Sequence, residues 1–496
     1  MPSSPPVSAE SAYRELIRLY RERALLDSCA ALLEWDADTY MPPGGVELRA
    51  EKQALLARLE HERAADPRIG DLLLEAESGA GDAVVAANLR ELRREHDHAR
   101  LTPASLVEDL ARDTTRAQGA WESARERGNA GDYLPLLDRV IALSRDHADC
   151  VRGAGSRYDA CLDQWEPGLT AAAVDGYLVP LRERLVALAD RIAGAPRAPD
   201  LFNRPVAEAV QRDLVASLLA RFGFDFGGGR LDEAAHPSTI RIGPGDVRLT
   251  TRYLAAHPLR GLFSTLHELG HGLYDQSLPP EHFGTPVGES TSLALHESQA
   301  RLLENHVGRS RAFWRFFLPE LGAAVPDLAG LSLDDALRAV NRVERTPSRN
   351  GSDEVTYDLH IAIRVDLERA LIDGDLATAD LPAAWDDAYR DALVPARDPR
   401  DGFLQDSHWA AGMFGYFPTY TLGNLIAAQL FAAAPAIDDD LAGGSIAALT
   451  AWLRTHVHSH GGLLSSADIV ERATGRPLSI EPHLAHLEAR YGALAG

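Results

Sequence analysis

The sequence predicts a mainly α-helical protein with one small β-sheet, and three observations carry that expectation. Long stretches rich in Ala, Leu, Arg and Glu repeat their apolar residues at three-to-four spacing, as in Leu16, Ile17, Tyr20, Ala24 and Leu25. That is the period of a helix with one buried face. One segment departs from it. Ser238-Thr239-Ile240-Arg241-Ile242 and Val247-Arg248-Leu249-Thr250-Thr251 alternate apolar and polar residues around Gly243-Pro244-Gly245-Asp246, the signature of a β-hairpin. Finally, the chain shows no succession of strand and helix patterns of the kind that builds a doubly wound sheet. Pro and Gly mark the breaks between helices at Met41-Pro42-Pro43-Gly44-Gly45, Gly194 to Pro199, and Gly227-Gly228-Gly229.

Composition narrows the function classes. The 496 residues are 45% hydrophobic and 25% charged, which excludes global disorder. Lys and Arg number 50 against 73 Asp and Glu, a net charge of −23, and no dense basic cluster occurs. Nucleic acid and anionic membranes are therefore not expected as partners. The three cysteines, Cys29, Cys150 and Cys161, are odd in number and form no C-x-x-C pair. A disulfide framework and a cysteine zinc knuckle are both excluded, and a reducing cytoplasm fits best. Residues 1–10 lack the basic start and apolar core of a secretory signal and are expected as a disordered tail, with 11–496 as a single domain. The longest apolar candidate, Leu425 to Ile437, is interrupted by Gln429 and Pro435, so a soluble protein is expected.

The chemistry begins at Ser264-Thr265-Leu266-His267-Glu268-Leu269-Gly270-His271, which contains H-E-x-x-H. Residues four apart on a helix lie one above the other, so His267 and His271 point at one metal ion. Leu262, Leu266, Leu269 and Leu273 form an apolar stripe beside them, which supports the helix. Glu268 is turned about 100° from His267. There it does not ligate but can take a proton from metal-bound water. Without cysteine the donors must be His and carboxylate, a set that suits Zn²⁺, which brings the pKa of its bound water to about 7. A catalytic site of this type needs a third protein ligand. His296 and Glu297 both stand downstream, in a helical pattern that continues through Leu302 and Leu303. Spacing leaves both open, and whichever does not ligate can orient a ligand or the substrate.

Other segments fall into the same pattern. They are Leu33-Glu34-Trp35-Asp36, Met41-Pro42-Pro43-Gly44, Asp246-Val247-Arg248-Leu249-Thr250 (D-x-R-x-T), His296-Glu297-Ser298-Gln299, Asp353-Glu354-Val355-Thr356-Tyr357, Gly402 to Trp409 (G-x-x-Q-D-x-H-W), and Gly415 to Tyr420. In this order, and over nearly the whole chain, they resemble the carboxypeptidase Taq family of zinc metallocarboxypeptidases, within the helical gluzincin group. The resemblance implies that Glu297 is the third ligand. One motif departs: the family's I/V-R-x-x-A-D reads Ser348-Arg349-Asn350-Gly351-Ser352-Asp353 here, keeping the Arg and the Asp.

By the same resemblance, Arg349 is the candidate anchor for a substrate's terminal carboxylate, whose two oxygens match the fork of a guanidinium. Arg248 is a second candidate, although on the hairpin it would instead brace the site, with Asp246 as its ion-pair partner. His408 and Tyr420, with Tyr416 as the alternative tyrosine and as a substrate contact, are expected to stabilise the oxyanion. Asp406 is expected to fix the tautomer of His408, and Trp409 and Phe417 to be core. The reading is a zinc-dependent metallocarboxypeptidase that releases C-terminal amino acids from peptides by Glu268-assisted attack of metal-bound water. It carries one Zn²⁺ per chain, for which Co²⁺ substitutes, and residues 11–496 form the catalytic domain. The expected shape is a large helical body with a deep groove and the small sheet near the zinc-binding helix. Family resemblance adds a homodimer. The alternative is a cytoplasmic zinc oligopeptidase cutting internal bonds of short peptides; a helical scaffold with a non-catalytic zinc would have no use for Glu268.

Overall fold

Helix begins where the chain first offers a cap. In the structure, a computed structural model that describes residues 8–64, 66–79, 81–193, 201–202 and 205–492, the Ser8 side chain accepts from the Ser11 amide and opens helix α1 (Ala9–Thr39). Ala9 and Glu10 are thus helical, which ends the expected tail two residues early. Residues 1–7 of that tail, and the expected break at Gly194 to Pro199, lie outside the described residues. Among the described residues the chain forms twenty α-helices and one three-stranded sheet. They group into two compact units, each assembled from three separate stretches of sequence.

The first unit takes Met1–Ala99, Pro199–Val340 and Gln429–Leu478. In it, α1 buries Ala12, Leu16 and Leu19 against Ile69, Leu73 and Ala76 of helix Arg68–Glu77 and against Leu89 and Leu92 of helix Ala83–Leu101. Leu25, on the same sequence stripe, is exposed. The expected hairpin is present as β2 (Ser238–Gly243) and β3 (Asp246–Thr251), paired antiparallel. A third strand, β1 (Gly229–Glu233), pairs parallel to β3 on its other side, so the order is β1-β3-β2. Gly229 therefore starts a strand rather than ending a break.

After the sheet comes α2 (Pro258–Asp275), which carries Pro at its first position, where a missing N–H costs nothing. Its stripe of Leu262, Leu266, Leu269 and Leu273 is buried as the periodicity requires. Helix α3 (Leu293–Arg301) is capped by Ser292, which accepts from the Leu295 amide. It runs without interruption into a π-helical stretch, Leu302–Val307.

The second unit takes Arg100–Ala198, Asn341–Ala428 and Ser479–Gly496. Its central element is α4 (Tyr357–Asp373), on which Asp358, His360, Arg364 and Glu368 are all buried. Such a helix requires partners for every charge. Asp358 Oδ1 accepts from Thr421 Oγ1 at 2.8 Å and Asn424 Nδ2 at 2.9 Å, both on helix α5 (Pro418–Ala433). Its Oδ2 lies 2.9 Å from His483 Nε2. The three cysteines are free, and no helix among the described residues is long and apolar enough to cross a membrane.

The three-helix cluster around α1 is the simplest part of the fold to test. Leu16→Ala removes a fully buried side chain and is expected to cost about 2–5 kcal/mol. Urea denaturation followed by circular dichroism should read this as a lower midpoint, with the metal content of the folded protein unchanged.

Candidate active site

Two helices must come very close if a third ligand is to reach the histidine pair, and Gly270 is where they do. A Cβ at Gly270 would overlap the carbonyl oxygen of Gln299 and stand 2.5 Å from Ala300 Cα. With hydrogen in its place, α2 and α3 pack backbone to backbone. Glu297 is thereby brought to His267 and His271: its Oε2 lies 3.8 Å from His267 Nε2 and 3.7 Å from His271 Nε2. One donor atom from each of the three lies within 4.8 Å of the others. Two imidazole nitrogens and one carboxylate oxygen are the donor set of a catalytic metal site.

The surroundings orient these donors. His267 Nδ1 lies 3.0 Å from Glu304 Oε2. A carboxylate only accepts, so Nδ1 carries the hydrogen and Nε2 is turned towards Glu297. Arg301 ties the two carboxylates together, donating from Nε to Glu297 Oε1 at 2.7 Å and from Nη1 to Glu304 Oε2 at 3.1 Å. Glu304 sits in the π-helical stretch, a rare conformation that recurs at functional sites. His271 stacks on His296 with ring centroids 4.2 Å apart, and His296 Nε2 bonds Asp275 Oδ1 at 3.1 Å. His296 is thus a packing partner of a donor, bonded to Asp275.

The charge pattern favours a cation. Burial lowers the pKa of His267, but Glu297, Glu304 and Glu268 more than reverse this, to about 9. A field that favours a proton there also favours a metal cation. Burial raises Glu304, yet Arg301 and His267 bring it down to about 2, so it remains an anion. Burial drives the His271 imidazole well below its usual range, which keeps it neutral.

Glu268 is buried, and burial pushes its carboxyl upward. Its Oε2 accepts from Thr239 Oγ1 at 2.7 Å, so strand β2 fixes the rotamer of this side chain. The D-x-R-x-T segment braces the sheet from the other side. Arg248 donates to both oxygens of Asp246 at 2.8 and 2.7 Å and lies 4.1 Å over the Trp35 ring, which Arg230 covers at 4.9 Å. Its guanidinium is committed to bracing, which weakens it as a substrate contact.

The second unit collects the other candidates. Arg349 donates from Nη2 and Nε to Asp406 Oδ1 at 2.7 and 3.2 Å and from Nη1 to Tyr357 Oη at 3.1 Å. Its guanidinium lies 5.0 Å over the Tyr420 ring. Asp406 Oδ2 also accepts from Arg364 Nε at 2.7 Å. Burial raises Asp406, and the two arginines bring it far below the carboxylate range. The expectation that Asp406 orients His408 is corrected here: His408 Nδ1 is 4.0 Å from Asp406 and makes no hydrogen bond, because the two arginines hold that carboxylate. His408 Nε2 is 3.4 Å from Tyr420 Oη, and Tyr416 lies against the same imidazole at 5.3 Å between centroids. Burial lowers His408 to about 4, so it is neutral at pH 7. Trp409 and Phe417 are buried, as expected of core.

With this geometry in hand, the comparisons are decisive. The sequence matches the family described as Carboxypeptidase Taq (M32) metallopeptidase over residues 15–491. The chain belongs to the M32 family. It is 44% identical to Thermostable carboxypeptidase 1 of Thermus thermophilus, across 99% of this chain and 100% of that one. It is 32% identical to Carboxypeptidase 1 of Bacillus subtilis, across 97% and 98%. The fold superposes on the crystal structure of the M32 carboxypeptidase from Deinococcus radiodurans R1 with a TM-score of 0.95 and 37% identity, covering 98% of this chain and 100% of that one. The protein is accordingly a metallocarboxypeptidase that acts on peptides with a metal cofactor.

Three functional neighbours in this M32 chain escaped the motifs: Thr239, Arg301 and Glu304. The last two were legible, since Glu297, Arg301 and Glu304 follow one another at helical spacing. Thr239 becomes a neighbour of Glu268 only once the strand meets the helix.

Two substitutions test the assembly. Glu304→Gln leaves shape intact but removes the anion behind His267, and metal affinity is expected to fall about 10- to 100-fold. Gly270→Ala forces α2 and α3 apart. The purified variant is expected to retain almost no metal after dialysis, as measured by elemental analysis.

Proposed function

We propose that this M32 metallocarboxypeptidase uses Zn²⁺, one ion per chain with Co²⁺ able to substitute, held by His267, His271 and Glu297, with Glu268 as general base. The observation that carries the reading is the convergence of those three donors beside a buried Glu268 fixed by Thr239. The residues fit the ion: two imidazole nitrogens and a carboxylate, with anionic Glu304 behind one imidazole. When bound, the ion supplies Lewis acidity and acidifies water. Glu268 takes the proton from the attacking water and returns it to the leaving amine. Its raised pKa suits both halves of that exchange.

In the second unit, His408 and Tyr420 are assigned to the developing oxyanion, with Tyr416 as an aromatic wall for the substrate. His408 is neutral and lies within reach of the Tyr420 hydroxyl, which supports the pairing. Arg349 is assigned to the substrate's terminal carboxylate. Asp406 and Tyr357 fix its plane, and a held guanidinium loses little entropy when it binds an anion. The uninterrupted family match over residues 15–491 supports reading 11–496 as one catalytic domain. Three free cysteines support a reducing, cytoplasmic setting. The homodimer rests on family resemblance.

The deciding experiment is metal-dependent release of single C-terminal residues from blocked dipeptides and tripeptides, with C-terminal amides as controls. The free acids are expected to be cleaved and the amides to lose most of the rate. Amides cleaved as fast as acids would make the protein an oligopeptidase that cuts internal bonds. Glu268→Gln is expected to lower kcat about 10²- to 10⁴-fold while the bound metal is retained.

A further inference from the structure

We propose that Glu368 is a positioning residue for His408, fixing the short strap from Trp409 to Gly415 that follows it directly in the chain. The inference rests on the reading of His408 as an oxyanion-stabilising donor.

His408 has an orientation that its own ring does not explain. Its Nδ1 is buried with no hydrogen-bond partner, and Asp406 is occupied by Arg349 and Arg364. A histidine used as a donor ordinarily has its second nitrogen held by a carboxylate or a carbonyl. Here that nitrogen has no such partner, and the ring packs against Phe417 at 4.6 Å and Tyr416 at 5.3 Å between centroids. Its aim towards Tyr420 is therefore set by the backbone that carries it and by the residues just after it in the chain.

That backbone is closed on itself. The Met413 amide donates to the His408 carbonyl at 2.9 Å, and the Ala411 amide to Ser407 at 3.0 Å. Gly415 turns with φ +78°, and a Cβ there would stand 2.5 Å from the carbonyl carbon of Cys161, so the strap has no slack at that end. Glu368 grips both ends. Trp409 Nε1, on the residue after His408, donates to its Oε2 at 3.2 Å. The amide of Gly415, on the residue before Tyr416, also hydrogen-bonds the carboxyl. Tyr158 Oη holds Oε1 at 2.6 Å from the other side.

A carboxyl this deep is costly, and this one makes no salt bridge to offset the cost. Its burial pushes it up to about 8 in spite of the three bonds. A leucine of similar volume would fill the space without that cost. What leucine would not supply is a shared acceptor for two donors that flank the strap.

The test compares Glu368→Leu and Glu368→Gln in the metal-loaded full chain. Glu368→Leu is expected to lower kcat about 10- to 100-fold, as for a displaced reacting group, with KM within about threefold of wild type. Glu368→Gln retains an acceptor for the strap and is expected to restore kcat to within about threefold. In a His408→Ala background, Glu368→Leu is expected to cost nothing further, because the two residues act as one unit. Should Glu368→Leu not fold, Trp409→Phe deletes a single donor and is expected to lower kcat about threefold to tenfold. Wild-type kcat in the folded Leu variant, or in Trp409→Phe where that variant carries the test, overturns the proposal. So does an undiminished loss in the His408→Ala background, which would make the role one of general stability. Metal-loaded wild type that releases no C-terminal residue would remove the underlying reading as well; an active wild type with insensitive variants removes this inference alone.

Discussion

Two helix backbones touch at Gly270, and the proposed metal centre depends on that contact. H-E-x-x-H supplies two donors from one helix, because their spacing puts them on one face. The third donor is on another helix, and its reach is limited by how closely the helices pack. Ordinary side chains hold helix axes about 8–10 Å apart. Hydrogen at position 270 lets the carbonyl of Gln299 and the Cα of Ala300 occupy the space of a side chain. Glu297 can then approach both imidazoles, and Gln299, two residues on, is free to bond His458 Nε2 through its Oε1 at 3.0 Å.

Charge is handled differently in the two units. Around the proposed metal ligands Arg301 bridges the carboxylates Glu297 and Glu304, and with Glu268 close by the field favours a further positive charge, as the raised pKa of His267 records. Around Arg349 the balance is reversed, since two guanidiniums share the single carboxylate of Asp406. The residual charge there is positive, the sign needed to receive a carboxylate. Each network is nearly satisfied from within, and what is left over has the sign of its proposed ligand.

Much of this was legible because it is local in sequence. The helix of His267 and His271, its leucine stripe and the hairpin from Ser238 to Thr251 all follow from short-range periodicity. The parallel strand Gly229–Glu233 was not legible. It contains no β-branched or aromatic residue, and it becomes a strand only because β3 offers an unpaired edge. Asp406 misled for a similar reason. It lies two residues from His408, but its partners Arg349 and Arg364 arrive from distant segments and outcompete the neighbour. The motifs that identify the family thus disclosed which residues matter before they disclosed what those residues touch.

Both units are stitched from three separated stretches, and this has a bearing on synthesis at the ribosome. His458, which bonds Gln299 of α3, is made long after His267 and His271 of α2. In the other unit, His483, Arg490 and Tyr491 of the final helix clasp Asp358 and Glu354 at the root of α4. Neither unit can close until its third stretch has left the exit tunnel. The nascent chain therefore spends most of its synthesis with unfinished cores, a topology that delays the contacts that reward loop closure. A strongly acidic chain repels its own copies during that interval, so the net charge of −23 serves the growing polypeptide as much as the finished one.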